Sequence, residues 1–211
     1  MKKALSYILI SALAASAAWA QKKQQQNIDP SELSYGENLA CPTVPSKALS
    51  PIKNHLNAVQ AWFAKHGYDA KLTRNGEVVL ITIPCASLFA PNSTEIKEAG
   101  LKLLQPFVTY LQHPTMYKVV VAVHSDNTGE QGYTDELTSD RANAIDEYLE
   151  TQGQRQHINL IPYGLGQDEP LKDNSSIANR NDNRRVEIYI IPEWQMIDNA
   201  RAGYPSCTSS S

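Results

Sequence analysis

An apolar strand that leads directly into an acidic loop and then into an amphipathic helix constrains the fold of this chain more than any other feature. The run from Tyr117 to Val123 is apolar enough for an internal strand, and Asp126 follows in a loop that reaches Gly129. Beyond this loop, one stripe of residues recurs at α-helical spacing and includes a cation. The stripe consists of Leu137, Arg141, Ile145 and Tyr148.

The cation on this stripe needs a negative partner. Arg141 is placed where its aliphatic neighbours turn toward the core, and an unpaired ion at a poorly solvated position costs several kcal/mol. Asp126, at the mouth of the strand, is one candidate partner, and the carboxylate of a bound ligand is another. The pattern therefore predicts either a ligand site or a structural ion pair between Asp126 and Arg141.

Three sequence blocks in order resemble the signature of the OmpA-like peptidoglycan-binding domain. The blocks are His124-Ser125-Asp126-Asn127-Thr128-Gly129, Leu137-Thr138-Ser139-Asp140-Arg141-Ala142, and Arg180-Asn181-Asp182-Asn183-Arg184-Arg185-Val186-Glu187. The resemblance covers about residues 77 to 192. Two positions depart from the family pattern: Val123 replaces a usual Gly, which bears on loop geometry, and Thr134 replaces a usual Asn, which bears on one ligand contact.

The resemblance implies a ligand, the diaminopimelate of the peptidoglycan stem peptide. Its side-chain end is a zwitterion of one ammonium and one carboxylate. Asp126 would accept hydrogen bonds from the ammonium, and Arg141 would donate two N–H groups to the carboxylate, which a lysine could not reproduce. The alternative from spacing alone is an Asp126–Arg141 salt bridge that closes the loop.

Four further residues belong to the site that the resemblance implies: Asn92, Thr128, Thr134 and Arg184. Thr128 lies in the loop that would hold the carboxylate, and Arg184 matches a family residue that adds a contact. Each has a structural alternative. Asn92 could shape the turn before a helix, and Arg184 or Arg185 could pair with Glu187. Arg180 is interpreted as structural, holding its loop.

The fold class predicted is α/β (α+β), a two-layer sandwich in which helices pack on a mixed β-sheet. It consists of an OmpA-like βαβαβ-β core preceded by an extra helix and strand. The extra helix is predicted to begin at Ser50-Pro51 and to end at Gly67, and Asn75-Gly76 predicts a two-residue hairpin. A helix over residues 94–113 is expected to kink at Pro106.

The domain organisation expected is a signal peptide at residues 1–20, a linker at 21–49, a helix and hairpin extension at 50–76, the OmpA-like domain at 77–192 and an irregular tail at 193–211. Lys2 and Lys3, an apolar run and Ala18-Trp19-Ala20 predict export and cleavage after Ala20. Residues 164–183 are expected to be a loop. No later apolar run approaches the ~20 residues that span a bilayer.

Charge and cysteine content restrict the compartment and the partners. Residues 21–211 carry 17 basic and 22 acidic residues, which argues against nucleic acid as a partner. In an oxidising compartment, three cysteines favour one disulfide and one free thiol, with Cys41–Cys207 the preferred pairing and Cys85 a small buried residue. We expect a periplasmic or envelope protein associated with the outer membrane.

Catalysis and metal binding are not expected. His124, Ser125 and Asp126 are consecutive on an extended segment and therefore point to alternating sides, so they do not form a relay. The histidines lack the spacing of metal ligands, and Gly164-Leu165-Gly166 is interpreted as a tight turn. The predicted function is noncovalent anchoring to peptidoglycan without enzyme activity or cofactor, with a possible envelope protein as a partner. The alternative is an interaction module of the same fold that does not bind muropeptides.

Overall fold

The computed structural model describes residues 29–153 and 159–203. The predicted signal peptide and Cys207, with its proposed pairing, lie outside the described residues. The chain divides into two units, Met1–Ser34 and Tyr35–Ser211. In the first unit, a 3-10 helix, Pro30–Glu32, is capped by the Asp29 side chain, which accepts a hydrogen bond from the Ser31 backbone N–H.

The second unit contains a five-stranded mixed sheet with the order β1-β2-β5-β3-β4. The strands are β1 (Asp69–Thr73), β2 (Val78–Pro84), β3 (Tyr117–Val123), β4 (Leu160–Gly164) and β5 (Arg185–Pro192). β3 and β4 run parallel, whereas the β1–β2, β2–β5 and β3–β5 pairs are antiparallel. β3 is buried along its whole length and lies inside the sheet, which confirms the predicted internal strand.

Helices cover both faces of this sheet unequally. The described α-helices of this unit are α1 (Tyr35–Ala40), α2 (Ser46–Lys65), α3 (Cys85–Leu88), α4 (Glu98–Leu104), α5 (Val108–Leu111), α6 (Gln131–Gly153), α7 (Ile177–Asn183) and α8 (Trp194–Ala202). The main core joins one sheet face to residues from α2, α3, α5, α6 and α8, while Tyr35 and Leu39 of α1 pack on the opposite face. The predicted two-layer sandwich of helices on a mixed sheet is therefore confirmed.

Two expectations about the segment before β1 were wrong. Residues 35–49 are not a linker, because α1 covers the back of the sheet and α2 begins at Ser46, one turn before the predicted Ser50. Pro51 lies inside α2, and Ala48 in the added turn is fully buried. Burial against distant parts of the chain stabilises this turn, and local sequence patterns do not report such contacts.

The predicted hairpin is present, but its turn is longer than two residues. Thr73 pairs with Val78, so four residues separate the paired positions, and Arg74 to Gly76 form a 3-10 turn with positive φ angles. The predicted kink at Pro106 is confirmed, since the 3-10 segment Gln105–Phe107 separates α4 from α5. The first of these helices begins at Glu98 rather than at residue 94.

Besides α1 and the short α3, two helices in the C-terminal part of the chain were not predicted. α7 forms within the expected loop at residues 164–183, and α8 forms within the expected irregular tail. The buried Met196 and Ile197 attach α8 to the main core, next to residues of α2. Only two of the nine residues of α8 are buried. The sequence of α8 therefore lacks the repeated apolar spacing by which an amphipathic helix is predicted.

Gly164 allows α6 to lie unusually close to the end of β4. A Cβ atom at this position would lie 2.2 Å from the Ser139 backbone nitrogen and 2.5 Å from the Ser139 Cα atom. The interpretation of Gly164 as part of a tight turn was therefore wrong, since it ends a strand and serves close packing. Gly166 does have a left-handed φ of 49°.

The back face of the sheet buries a lysine whose titration gives a first testable prediction. Lys118 donates to Asn38 Oδ1 of α1 at 3.2 Å, and burial lowers the pKa of Lys118 to about 8. An unfolded lysine titrates near 10.4, so the unfolded state binds more protons between these values, and the free energy of unfolding should rise with pH there. Lys118 should contribute a rise of about 1–2 kcal/mol between about pH 7.5 and 9.5. Cys85 offsets part of this rise, because burial raises the pKa of its thiol to about 11.

Urea unfolding across this pH window measures the effect, and Lys118→Met should flatten the rise. The window ends before the tyrosines titrate, which matters because burial raises the pKa of Tyr35 and of Tyr110 to about 12 and so reverses the slope at higher pH. An unchanged slope in Lys118→Met would assign the pH dependence to another group.

Candidate functional site

The six residues predicted for the site come together in one cleft of about 720 Å³. It lies beside α3, between the loop after β3, the loop before α4 and the first turns of α6. The predicted residues that line the cleft are Asn92, Asp126, Thr128, Thr134, Arg141 and Arg184. They are separated by up to 92 positions in the sequence, so the fold rather than local spacing brings them together.

Asp126 is the carboxylate of the cleft. It lies three residues beyond the end of β3, where the Ser125 N–H donates to the Gly166 carbonyl at 2.7 Å. Asp126 Oδ1 accepts from the Thr128 N–H at 3.0 Å and from the Thr128 hydroxyl at 2.6 Å. These bonds fix the side chain in a short turn, so Thr128 acts first as the residue that orients Asp126.

Arg141 reaches the cleft from the core-facing side of α6, as predicted, and is only 7% exposed. Its Nε donates to the Ser93 carbonyl at 2.8 Å and its Nη2 to the Ala90 carbonyl at 3.3 Å. The guanidinium carbon lies 4.9 Å from the centre of the Phe89 ring. Arg141 therefore fastens α6 to the loop before α4 through backbone contacts.

The predicted alternative of an Asp126–Arg141 salt bridge does not form. Asp126 Oδ2 pairs instead with Nη1 of Arg184, which lies at the junction of α7 and β5. Within residues 29–153 and 159–203, no carboxylate lies within ion-pair distance of Arg141. Carbonyl dipoles and an aromatic face partly compensate its buried charge, but a full negative charge is lacking.

The side chains of Arg184 and Arg185 point to opposite faces of the sheet. Arg184 faces the cleft, and its Nη2 also donates to Asn181 Oδ1, whereas Arg185 pairs with Glu187 on the back face at 2.7 Å. The alternative that one of these arginines pairs with Glu187 thus holds for Arg185 alone. Arg180 donates to the Asn174 carbonyl at 2.8 Å, which agrees with its predicted structural role.

Asn92 and Thr134, the two positions with the weakest sequence arguments, also line the cleft. Asn92 has a left-handed φ of 56°, a conformation that asparagine tolerates, so it shapes the turn before α4 as well as lining the cleft. The Thr134 hydroxyl donates to the Gln131 carbonyl of its own helix at 2.9 Å. Val123, the other departure from the family pattern, is fully buried in β3 and pairs with Val186.

Several residues that line the cleft were not predicted for the site, among them Cys85, Phe89 and Tyr133. Phe89 supports Arg141, and its position just before the loop that contains Asn92 was the available signal. Burial raises the pKa of the Cys85 thiol to about 11, against the opposing effect of Arg141, so it stays protonated at neutral pH. Tyr133 is 46% exposed at the edge of the cleft.

His124 does not line the cleft and lies near Glu187 instead. Its Nε2 lies 3.4 Å from Glu187 Oε2, on the face of the sheet that carries Arg185 and Tyr189. Asp126 points to the opposite side, into the cleft, so the two do not form a relay. Among the described residues, no group of three or more histidine, cysteine, aspartate or glutamate side chains could hold a metal ion.

The part of the chain that forms the cleft is similar in sequence to known proteins. The sequence profile of the OmpA family matches residues 88–184, which contain all six predicted site residues. "Probable lipoprotein YiaD" of Escherichia coli K12 is 29% identical over 126 residues, which cover 60% of this chain and 57% of that protein. "Peptidoglycan-binding protein ArfA" of Mycobacterium tuberculosis H37Rv is 26% identical over 177 residues, covering 74% of this chain and 54% of ArfA.

A solved structure shares the fold. A MotB-like protein from Desulfovibrio vulgaris superposes with a TM-score of 0.60 at 21% identity, covering 70% of this chain and 96% of that one. The chain spans little more than half the length of YiaD and of ArfA. Within the part of the chain that the structure describes, no helix has both the length and the apolar character needed to cross a membrane.

Proposed function

We propose that this chain, whose residues 88–184 belong to the OmpA family, binds peptidoglycan noncovalently through the cleft and acts in the cell envelope. The observation that carries the proposal is Arg141, a buried cation at the cleft wall with no carboxylate partner among the described residues. A ligand carboxylate would supply the missing charge. The name of the relative ArfA, a peptidoglycan-binding protein, supports this class of ligand.

The ligand group we propose is the zwitterionic end of diaminopimelate in the stem peptide. Its carboxylate would be bound by Arg141, whose Nε and Nη2 already hold the wall of the cleft, and its ammonium would approach Asp126. Charge-assisted contacts of this kind are short and directional, so the two groups select a ligand by the distance between its own charges. No step of this binding requires a cofactor or a covalent bond.

The remaining residues would support these two contacts. Thr128 would keep Asp126 in place, and the loop shaped by Asn92 would close one wall next to Arg141. Thr134 offers its methyl side to the cleft, because its hydroxyl is used within α6. We propose Arg184 as a further contact, at the partly exposed rim.

Cosedimentation with purified sacculi tests the proposed function, and competition tests the proposed ligand. A muropeptide with diaminopimelate should release the chain at a concentration at least tenfold lower than the same muropeptide with lysine, because the side chain of a lysine within a peptide offers no carboxylate to Arg141. A lost charge-assisted contact of ~1.5–3 kcal/mol corresponds to a roughly tenfold to hundredfold change. Equal competition by the two muropeptides would exclude diaminopimelate as the recognised group.

One observation favours a second candidate, an envelope interaction module of the same fold. Thr134 stands where the family usually has an asparagine, and its hydroxyl turns back onto the Gln131 carbonyl, so one ligand contact is lost. Under this alternative the chain would bind an envelope protein and not the wall. Absence of the wild-type chain from pelleted sacculi, at low salt and with the fold verified, would favour this candidate.

A further inference from the structure

Among the described residues, the cleft has a single carboxylate, that of Asp126, and it is already paired. Asp126 Oδ2 accepts from Arg184, and Asp126 Oδ1 accepts two hydrogen bonds from Thr128. A ligand ammonium that approaches Asp126 therefore competes with Arg184 for Oδ2, the oxygen that accepts fewer of these bonds. Arg184 is the mobile partner of the pair on geometric grounds, because its side chain is 39% exposed whereas that of Asp126 is 3% exposed.

We propose that Arg184 is a displaceable gate that makes the cleft select ligands with one ammonium and two carboxylates. This inference rests on the proposed function and adds a specificity to it. Among the described residues that line the cleft, the charged side chains are Asp126, Arg141 and Arg184, so this lining carries one positive charge more than negative. A ligand with a net charge of −1 gives each of the three a partner.

The second carboxylate of such a ligand gives Arg184 a new anion when the ligand ammonium replaces Arg184 at Asp126. When the ligand ammonium takes Asp126, the Arg184 guanidinium loses its ion pair, and a cation left without an anion at a partly buried rim opposes binding. A second carboxylate near the rim receives Arg184 and removes this opposition. A ligand with only the zwitterionic end gives one carboxylate to Arg141 and leaves Arg184 without a negatively charged partner.

A pair of small ligands that differ by one carboxylate tests the gate. Mono-N-acetyl-diaminopimelate and Nε-acetyl-lysine, matched in configuration at the zwitterionic carbon, share one ammonium, one carboxylate and one acetamide. Only the first has the additional carboxylate. Titration calorimetry or NMR titration should show that the wild type binds the dicarboxylate at least tenfold more tightly than the monocarboxylate, which is about 1.4 kcal/mol.

Arg184→Ala should change the two affinities in opposite directions. The monocarboxylate should bind more tightly to Arg184→Ala than to the wild type, because Asp126 no longer has to be released, and the dicarboxylate should bind less tightly. Arg184→Gln should behave in the same way and guards against misfolding of the alanine variant. Arg201→Ala is the control, since it removes an exposed arginine from an ion pair with Asp198 outside the cleft.

Unchanged or weaker monocarboxylate binding in both Arg184 variants would overturn the gate. Failure of the wild type to bind either ligand would count against the proposed diaminopimelate site and not against the gate. The gate is then tested by the Asp126 side-chain carboxyl resonance during titration with methylammonium chloride. Arg184→Ala should respond at a concentration at least tenfold lower than the wild type, and an equal response would overturn the proposal.

Discussion

Replacing Arg141 with lysine is expected to weaken sacculus binding at least tenfold and to lower the free energy of unfolding by about 1–3 kcal/mol. The lysine keeps the charge but loses the planar fork, because its three N–H donors share one nitrogen, whereas Arg141 holds the Ser93 and Ala90 carbonyls with two separate nitrogens. Arg141→Ala should reduce binding further. Urea unfolding and cosedimentation measure the two effects separately.

A control variant separates lost binding from lost stability in this experiment. Tyr148 lies two turns further along α6 and donates to the Leu101 carbonyl at 3.2 Å, outside the cleft. Tyr148→Phe removes the hydroxyl contacts with the Leu101 carbonyl and with Gln105 Oε1, and it should bind sacculi as the wild type does. If Arg141→Lys binds like Tyr148→Phe at a temperature where both are folded, Arg141 serves the scaffold and the ligand site lies elsewhere.

Replacing Asp126 with asparagine is expected to reduce sacculus binding about tenfold to hundredfold while leaving the loop intact. The amide oxygen can still accept from the Thr128 N–H, so the short turn is retained. The negative charge that pairs with Arg184 and that would receive a ligand ammonium is lost. The loss of binding should therefore exceed the loss of stability, since the hydrogen bond from the Thr128 N–H still holds the loop.

Asp168→Asn is the matched control for the Asp126 substitution. Asp168 is an exposed carboxylate that accepts from Gln131 Nε2 at 3.2 Å and does not line the cleft. The two variants have the same change in net charge, so general electrostatic attraction to the wall changes equally. Equal binding by both variants would show that Asp126 makes no specific contact.

The sequence predicted the parts of the fold whose signals are local. β3 contains the apolar run at residues 119–123, and Arg141 shares its spacing with buried residues of α6, so both were correctly placed. α1 and α8 were missed because each is stabilised mainly by what it covers. Tyr35 and Leu39 pack on the back of the sheet, and Ile197 packs in a core built from distant segments.

The sequence correctly predicted which charged residues line the cleft, but it did not predict which of them form an ion pair. Asp126, Arg141 and Arg184 all line the cleft, as their three sequence blocks suggested. Which arginine pairs with Asp126 depends on side-chain direction at the start of β5, where Arg184 turns to the cleft and Arg185 to the back face. A shift of one residue exchanges the two faces of a strand, and spacing along the chain does not fix that choice.

The close contact between Gly164 and Ser139 means that a substitution at Gly164 should change the distance between Arg141 and Asp126 in the cleft. Any side chain at Gly164 meets the backbone of α6 and has to push this helix away from the sheet, and Arg141, two residues beyond Ser139, moves with it. Asp126 belongs to the loop that follows β3 and stays with the sheet. If the proposed ligand binds here, the length of zwitterion that the cleft accepts should change with substitutions at Gly164, which does not line the cleft.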